Sequence, residues 1–405
     1  MVALPTTAVV AEPLDLSEWL SLSWRLPLLV IQFVTNLTSL FLSPREVSQL
    51  GFRQKLSLAY LRTHATVFSL KQQALPRGVL TGPRIQKYCR WYRIQHKAVA
   101  IPLDSAGSGA GATLDTGPGS DIPSPVLHFV TPRTARPGGP TLFYIHGGGY
   151  HDPIIEDGHV PFVLRCGEAC KAAQVVFLEY SLAPEHPYPS QLVQAVAGMR
   201  YLLEKESIKP ENIVLGGDSA GGHLTLSLLA HIAKPSPYAP PLDLHDGRFK
   251  AAMLVSPWVT MTEEQTGALS ESKHDYVPAQ RVPWMRDFFK PSASEVWSNL
   301  WQPQNPEAVA MWKRLFNPGA ICQRAIVVAG TEEVLFDSCV GFGRDCLGCE
   351  SVVVDGDAGI GRVKEADFVL AIAPGEAHVQ PGLDAFLGYY SGRSMRAIST
   401  FLEGC

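Results

Sequence analysis

The chain has 405 residues, of which 46% are hydrophobic and 18% are charged, and its formal net charge is −4. A long disordered chain is excluded, because disorder requires low hydrophobicity and high charge. A chain this close to neutral, without runs of lysine or arginine, is also not expected to bind nucleic acid by neutralising phosphates.

The first apolar segment is residues 26–42, which carry no charge over 17 residues, just short of the ~20 that span a bilayer. Residues 1–17 contain Glu12 and Asp15 and no basic residue, so a secretory signal peptide is not predicted. An intracellular location, cytoplasmic or membrane-associated, is expected rather than secretion. The spacing of the apolar residues in segment 26–42 predicts an amphipathic helix with Asn36 and Ser39 on the polar side. The predicted apolar stripe comprises Leu26, Leu29, Val30, Phe33, Val34, Leu37, Leu40 and Phe41.

Three interpretations of this helix stay open. It packs on the domain as part of a lid, it lies on a membrane surface, or it spans the bilayer, although polar residues in its interior disfavour a span. Residues 45–88 also place apolar residues at helical spacing. Residues 1–90 are therefore predicted to be an N-terminal helical segment that forms a lid or associates with a membrane.

Residues 91–405 are predicted to form one domain in which short apolar strands alternate with helices. Continuously apolar strands, mostly followed by helices, indicate an α/β fold with a mostly parallel sheet covered on both faces. The predicted strands are 91–101, 126–130, 141–145, 175–180, 212–215, 251–255, 325–329 and 368–372. The predicted helices are 161–173, 190–204 and 219–233.

Two stretches interrupt this alternation. Residues 106–124 are rich in Gly, Ala and Ser and are predicted to be an exposed loop. Residues 258–316 hold five of the eight tryptophans and are predicted to be a helical insertion. Aromatic side chains at this density either pack in the core or form a lid over a site, and we expect the lid.

A candidate nucleophile follows the predicted strand at 212–215. Residues 217–221 are GDSAG, a G-x-S-x-G motif between a predicted strand and a predicted helix. In this context the glycines leave room for a sharp turn that lifts Ser219 Oγ above the sheet. The alternative is a glycine-rich turn with a serine that only caps the helix.

A candidate oxyanion hole follows the predicted strand at 141–145. Residues 146–149 are HGGG, and consecutive glycines allow backbone N–H groups to face a substrate oxygen. Gly147 and Gly148 are the predicted donors, together with the N–H of Ala220. A phosphate-binding loop or a simple turn is the alternative, but the G-K-[ST] of such a loop is absent. Tyr150 and Trp258 are predicted to border the substrate.

Three blocks, HGGG at 146–149, EYSLAPEHPYP at 179–189 and GDSAG at 217–221, together resemble the hormone-sensitive-lipase family of α/β-hydrolases. The resemblance covers roughly residues 126–390. It implies an α/β-hydrolase fold, hydrolysis of carboxylic esters, and a lid made by N-terminal helices and the insertion. HGGGY and the apolar N-terminal segment are also similar to the fungal steryl acetyl hydrolase branch. That similarity implies a short-chain acyl ester of a sterol or of a fungal secondary metabolite.

The other members of a catalytic triad are expected after later strands, in the order Ser, acid, His. His378 follows the last predicted strand, where the general base is expected. The family pattern D-x-L-x-D corresponds to EVLFD at 333–337, which implies Glu333 as the acid, with Asp337 as the second choice.

The predicted function is hydrolysis of a small hydrophobic ester by a Ser–acid–His triad. No metal-ligand pattern such as H-E-x-x-H is present, so neither a metal nor a cofactor is predicted. Glu332 and Glu376 are expected to face solvent. Two alternatives stay open: an inert ligand-binding pseudo-hydrolase that keeps the fold, and the same triad acting on an amide, lactone or thioester.

Overall fold

The strands of the described residues form one nine-stranded sheet. The computed structural model describes residues 14–43, 47, 49–73, 78–103, 122–266, 269, 274–317 and 319–405. The strands are β1 (Gln95–Ala100), β2 (Val126–Thr131), β3 (Thr141–Ile145), β4 (Gln174–Glu179), β5 (Ile213–Asp218), β6 (Ala251–Val255), β7 (Ala325–Gly330), β8 (Glu350–Val353) and β9 (Phe368–Ala373). Their order across the sheet is β1-β2-β4-β3-β5-β6-β7-β9-β8.

The sheet is parallel except at one edge, where β2 pairs antiparallel with both β1 and β4. Every residue of β3, β5, β6 and β7 is buried. Burial on both faces explains why these strands are continuously apolar in sequence. Because parallel strands end at the same edge of a sheet, the loops after β3, β5, β6, β7 and β9 lie at one edge.

Helices cover both faces of this sheet. Alternate residues of β5 enter two core clusters, with Leu215 on one face and Val214 on the other. The π turn Tyr201–Lys205 and the 3-10 turn Pro210–Asn212 precede β5. The helices are α1 (Leu16–Leu42), α2 (Phe52–Val67), α3 (Leu70–Gln73), α4 (Thr81–Trp91), α5 (Glu156–Ala169), α6 (Ser190–Arg200), α7 (Ser219–Ala233), α8 (Glu263–Thr266), α9 (Arg281–Phe289), α10 (Pro306–Leu315), α11 (Phe336–Asp345), α12 (Gly356–Glu365), α13 (Gln380–Phe386) and α14 (Arg393–Glu403).

Most predicted elements agree with the observed ones within a few residues. The bounds of β3, β6 and α7 are those predicted. The helix predicted at 161–173 begins earlier, so that Glu156 and Asp157 lie in the first turn of α5, where acidic side chains interact favourably with the helix dipole. Strand β8 is not predicted, because most of its residues are exposed and form no continuous apolar run.

Four further predictions concern a strand, a loop, the N-terminal segment and the insertion. The strand predicted at 91–101 is shorter than expected, because Trp91 ends α4 and the strand starts at Gln95. Most of the predicted loop 106–124 lies outside the described residues, as do residues 1–13 of the predicted N-terminal segment. The described residues of the insertion form the helices α8, α9 and α10.

Helix α1 is rotated relative to the prediction. Asn36, expected on the polar side, is buried against α2, and its Nδ2 donates to Thr63 Oγ1 at 3.0 Å. Val30 and Val34 of the predicted apolar stripe are 69% and 55% exposed. The predicted orientation is wrong because α2 supplies a hydrogen-bonding partner for the amide, which removes the penalty of burying it.

This orientation leaves an apolar surface of α1 exposed. Among the described residues, α1 is the only helix that is long and apolar enough to cross a membrane, and 11% of its most apolar stretch is buried. A contiguous exposed apolar surface is typical of a site of contact with a membrane or another protein. The exposed large side chains are Leu16, Trp19, Leu20, Trp24, Leu26, Leu28, Val30, Ile31, Val34, Phe41 and Leu42.

Candidate active site

Ser219 lies where β5 ends and α7 begins, with no intervening loop. Its φ is +50°, in the left-handed region that side chains other than glycine rarely adopt. The turn requires glycine at position 221, because a Cβ at Gly221 would collide with the backbone oxygen of Ile145. The strained strand–turn–helix expected of a G-x-S-x-G motif is therefore present, with Ser219 at its tip.

Two loops from the same edge of the sheet bring a histidine and a carboxylate to this serine. Ser219 Oγ lies 2.9 Å from His378 Nε2, on the loop after β9. Glu333, on the loop after β7, is fully buried, and its Oε2 lies 3.4 Å from His378 Nδ1. Of the two predicted acids, the structure thus brings Glu333 to His378, whereas Asp337 is exposed in the first turn of α11.

The pKa of His378 is raised above its ordinary value. Burial acts in the opposite direction and lowers it, but the hydrogen bond and charge of Glu333, together with the charges of Asp275 and Asp218, outweigh burial. These carboxylates favour the imidazolium form. That is the form His378 takes after it removes a proton from a serine hydroxyl.

The backbone N–H of Gly147 is not directed at Ser219. It donates to Asp218 Oδ1 at 3.0 Å, and the same oxygen accepts the Tyr144 hydroxyl at 2.6 Å. His159 Nε2 lies 3.2 Å from Asp218 Oδ2. Burial raises the pKa of Asp218, but His159 and these hydrogen bonds lower it further, so the carboxylate is held charged. The predicted oxyanion role of Gly147 is contradicted, because Asp218 already binds its N–H.

Gly148 and Gly149, in contrast, line the same cavity as Ser219. Their φ values are +112° and +61°, conformations that favour glycine. A Cβ on Gly149 would also collide with Met285 of α9. Ala220 lies in the first turn of α7, where backbone N–H groups have no intrahelical partner. The sequence prediction does not include Gly149, although the third glycine of HGGG is the signal for it.

A cavity of about 380 Å³ has Ser219 and His378 in its wall. Asp152 and Arg281 form an ion pair of 2.6 Å in the same wall. The insertion and α2 both contribute to this wall, as a lid would. The apolar side chains that line the cavity include Leu61, Val277, Val282, Met285, Leu335, Leu383 and Phe386.

The two aromatic residues predicted to border the substrate differ in position. Trp258 lines the cavity, and its backbone N–H donates to Ser219 O at 3.0 Å. Tyr150 is fully buried and is not among the lining residues. Its hydroxyl lies 2.6 Å from His223 Nδ1, and its ring stacks on Phe289 with a centroid distance of 3.9 Å. The predicted substrate contact of Tyr150 is therefore wrong, because the ring packs behind the cavity.

Two acidic residues predicted to face solvent do not. Glu376 is buried and accepts the backbone N–H groups of Arg393 and Ser394 at 2.6 and 3.0 Å. Glu332 is partly buried, and its Oε2 lies 2.7 Å from His274 Nδ1. Contacts with residues distant in sequence therefore bury both carboxylates, at least in part. Within the described part of the chain, no group of three or more His, Cys, Asp or Glu side chains is arranged to hold a metal ion.

A family model described as the alpha/beta hydrolase fold matches residues 142–351, just over half of the chain. An acetyl-hydrolase of Streptomyces hygroscopicus is 35% identical over 132 residues, which cover 33% of this chain and 40% of that protein. An esterase of Acinetobacter venetianus is 31% identical over 135 residues, 33% of this chain and 40% of that protein. The chain thus spans about two fifths of the length of these relatives.

A solved structure of an esterase from the bacterial hormone-sensitive lipase family is similar, with a TM-score of 0.56 and 19% identity. The similarity covers 87% of this chain and 98% of that one. At this identity the comparison bears on the fold, and the predicted mostly parallel α/β-hydrolase sheet is confirmed. The chain therefore belongs to the alpha/beta hydrolase fold family. Its HGGG and GDSAG motifs are consistent with this membership.

Proposed function

We propose that the protein is a serine carboxylester hydrolase. The observation that carries the proposal is the distance of 2.9 Å between Ser219 Oγ and His378 Nε2, in the wall of a cavity of about 380 Å³. A nucleophile within hydrogen-bonding distance of a base, itself oriented by an acid, is the arrangement used for acyl transfer. The names of the relatives, an acetyl-hydrolase and an esterase, support the same class of reaction.

In the proposed mechanism, the neutral imidazole of His378 accepts the hydroxyl proton of Ser219 while Oγ attacks the ester carbonyl. Glu333 accepts a hydrogen bond from Nδ1 and stabilises the imidazolium that forms. The imidazolium then donates its proton to the leaving alcohol, and an acyl group remains on Ser219. His378 next removes a proton from water, which attacks the acyl group and restores the serine.

The proposed donors to the tetrahedral oxyanion are the N–H groups of Gly148, Gly149 and Ala220. Gly149 replaces Gly147 in this set, because the Gly147 N–H donates to Asp218. Loss of one such donor typically lowers kcat ~100- to 1000-fold. Asp218 takes a supporting role, since it holds the start of the glycine loop against the end of β5.

The proposed substrate is a hydrophobic ester with a short acyl group. Trp258 lines the cavity, and its backbone is hydrogen-bonded to Ser219, so its large side chain restricts the space beside the nucleophile. The apolar side chains of α2, α9 and α13 in the wall favour a large apolar alcohol. A short-chain acyl ester of a sterol or of a fungal secondary metabolite has this form.

We propose that α1 also contacts a membrane surface. Its outer face is apolar, whereas polar contacts along its inner face hold it to α2. Arg25 Nη1 donates to Val67 O at 2.9 Å, and Asn36 Nδ2 donates to Thr63 Oγ1 at 3.0 Å. A helix that spanned the bilayer would lose these contacts. Lying on the surface retains them and buries the exposed side chains in lipid.

Replacement of the nucleophile tests the enzymatic proposal. We expect Ser219→Ala to abolish hydrolysis of p-nitrophenyl acetate, because no other group forms the acyl intermediate. Ser294→Ala, an exposed serine in the insertion, is the matched control and is expected to keep wild-type activity. Hydrolysis by Ser219→Ala at the wild-type rate would overturn the proposal.

A fluorophosphonate probe separates the enzyme from the inert pseudo-hydrolase. The probe labels a serine whose hydroxyl is activated by a base. We expect it to label the wild-type protein at Ser219 and to leave Ser219→Ala unlabelled. A folded wild-type protein that resists the probe would instead favour a ligand-binding role.

A further inference from the structure

Three consecutive residues of the insertion contact both loops that carry the proposed acid and base. We call residues 274–276 the connector. His274 Nδ1 lies 2.7 Å from Glu332 Oε2, and its Nε2 lies 2.9 Å from Ser43 Oγ at the end of α1. Tyr276 lines the cavity, and its ring centroid lies 6.2 Å from that of His378. The connector therefore joins the cavity wall, the N-terminal segment and the candidate triad.

Asp275 makes the most direct of these contacts. Its Oδ2 accepts the backbone N–H of Val334, the residue after Glu333, at 2.7 Å. Its Oδ1 accepts the backbone N–H of His378 at 3.3 Å and that of Tyr276 at 2.7 Å. One carboxylate thus bridges the loop after β7 to the loop after β9. The proposed acid and base lie on these two loops, which follow different strands.

The charged groups that face Asp275 come from α2 and from both loops. The pKa of Asp275 is raised to about 6, because burial and the charge of Glu333 outweigh the opposing effects of His378 and the Val334 N–H. The pKa of Arg62, on α2, is lowered by burial and raised by Asp275. Asp275 also contributes to the raised pKa of His378, against burial, which lowers it. Its negative charge therefore acts on the proposed base as well as on the backbone.

We propose that Asp275 is a positioning residue, which holds the Glu333 and His378 loops at the separation that catalysis needs and supports the imidazolium with its charge. This inference rests on the proposed esterase function. Asp275 does not line the cavity, so it acts through His378 and Glu333 rather than on the substrate. Since Tyr276 lines the cavity, the connector also links the lid to the triad.

The first test is Asp275→Asn, assayed with p-nitrophenyl acetate. The amide offers one acceptor oxygen where the carboxylate offers two, so one of the loops loses its anchor. We expect kcat to fall roughly 10- to 100-fold with little change in KM, because displacement of a catalytic group costs rate rather than binding. Asp287→Asn is the matched control, since Asp287 lies in the same insertion and is exposed. It should keep the wild-type kcat.

The pH profile distinguishes positioning from a merely structural role. Activity requires neutral His378, so kcat/KM rises with pH through the pKa of that imidazole. Removal of the Asp275 charge lowers this pKa, and the acid limb of the Asp275→Asn profile is expected at lower pH. Asp275→Glu keeps the charge but displaces the carboxylate. It should lower kcat while leaving the acid limb near its wild-type position.

Two measurements, kcat and the position of the acid limb, decide the role of Asp275. Asp275→Asn with wild-type kcat and an unshifted acid limb would refute it, as would an equal loss in Asp287→Asn. If thermal unfolding shows that Asp275→Asn is not folded, Asp275→Glu decides: a lowered kcat with an unshifted acid limb supports the proposal, and a wild-type kcat refutes it. The Ser219→Ala result is independent: an inactive Ser219→Ala with an unaffected Asp275→Asn removes the positioning role and leaves the esterase proposal intact.

Discussion

Glu333→Gln tests which carboxylate orients His378, and its magnitude follows from the geometry. A hydrogen bond to a charged group contributes about 1.5–3 kcal/mol. At 1.36 kcal/mol per factor of ten, this is roughly 10- to 150-fold in rate. The Gln amide can also donate to Nδ1 and hold the wrong tautomer, and the analogous change in a serine protease lowers kcat ~10⁴-fold. Because the Nδ1–Oε2 distance is 3.4 Å, we expect an intermediate loss of ~10³-fold.

The assay is steady-state hydrolysis of p-nitrophenyl acetate across a pH series. Asp337→Asn is the matched control, because Asp337 is the exposed carboxylate of the same loop region, and its kcat should not change. Glu333 contributes to the raised pKa of His378, so Glu333→Gln should also move the acid limb of kcat/KM to lower pH. A loss of less than about tenfold in Glu333→Gln, or a larger loss in Asp337→Asn, would refute this assignment.

Three further predictions concern specificity, membrane contact and stability. Trp258→Leu should raise the kcat/KM ratio of p-nitrophenyl octanoate to acetate, and an unchanged ratio would exclude Trp258 from the acyl side. Val30→Lys combined with Val34→Lys should abolish co-flotation with phosphatidylcholine vesicles, and retained binding would contradict a membrane-facing α1. Burial raises the pKa of both Glu376 and Asp384, so the folded chain binds more protons than the unfolded chain, and stability falls as pH rises above the ordinary carboxyl values. Asp384→Asn should flatten the fall in Tm as the pH rises above the ordinary carboxyl values, measured by calorimetry, and an equally steep fall would count against this pair.

Local sequence patterns were sufficient to predict the central strands and the turn at Ser219. The strands β3 and β6 are predicted with their observed bounds, because strands buried on both faces are almost continuously apolar. The turn at Ser219 is predictable for a similar reason, since glycines flank the serine within five residues of sequence. Strand β8 and the orientation of α1 are not predictable in this way. An exposed edge strand has no apolar run, and a buried Asn36 depends on Thr63 from another helix.

In the candidate site, too, the sequence predicts some residues and not others. The positions of His378 and Glu333 after strands, together with a family pattern, predict both residues, and in the structure Glu333 lies beside His378 and His378 beside Ser219. The sequence alone did not exclude Gly147 as a donor, because the carboxylate that takes its N–H lies 71 residues away in the chain.

The amino-acid sequence by itself determined the parallel sheet and the sharp turn at Ser219, because both depend on side-chain patterns that are local in the chain, and its HGGG and GDSAG motifs predicted the class of chemistry that we propose. The tertiary structure alone decided which acid faces His378, which glycines line the cavity, and how Asp275 bridges two loops. Those features depend on where separate strands end relative to one another. Such distances are set by packing of the whole sheet and are not encoded in any single motif.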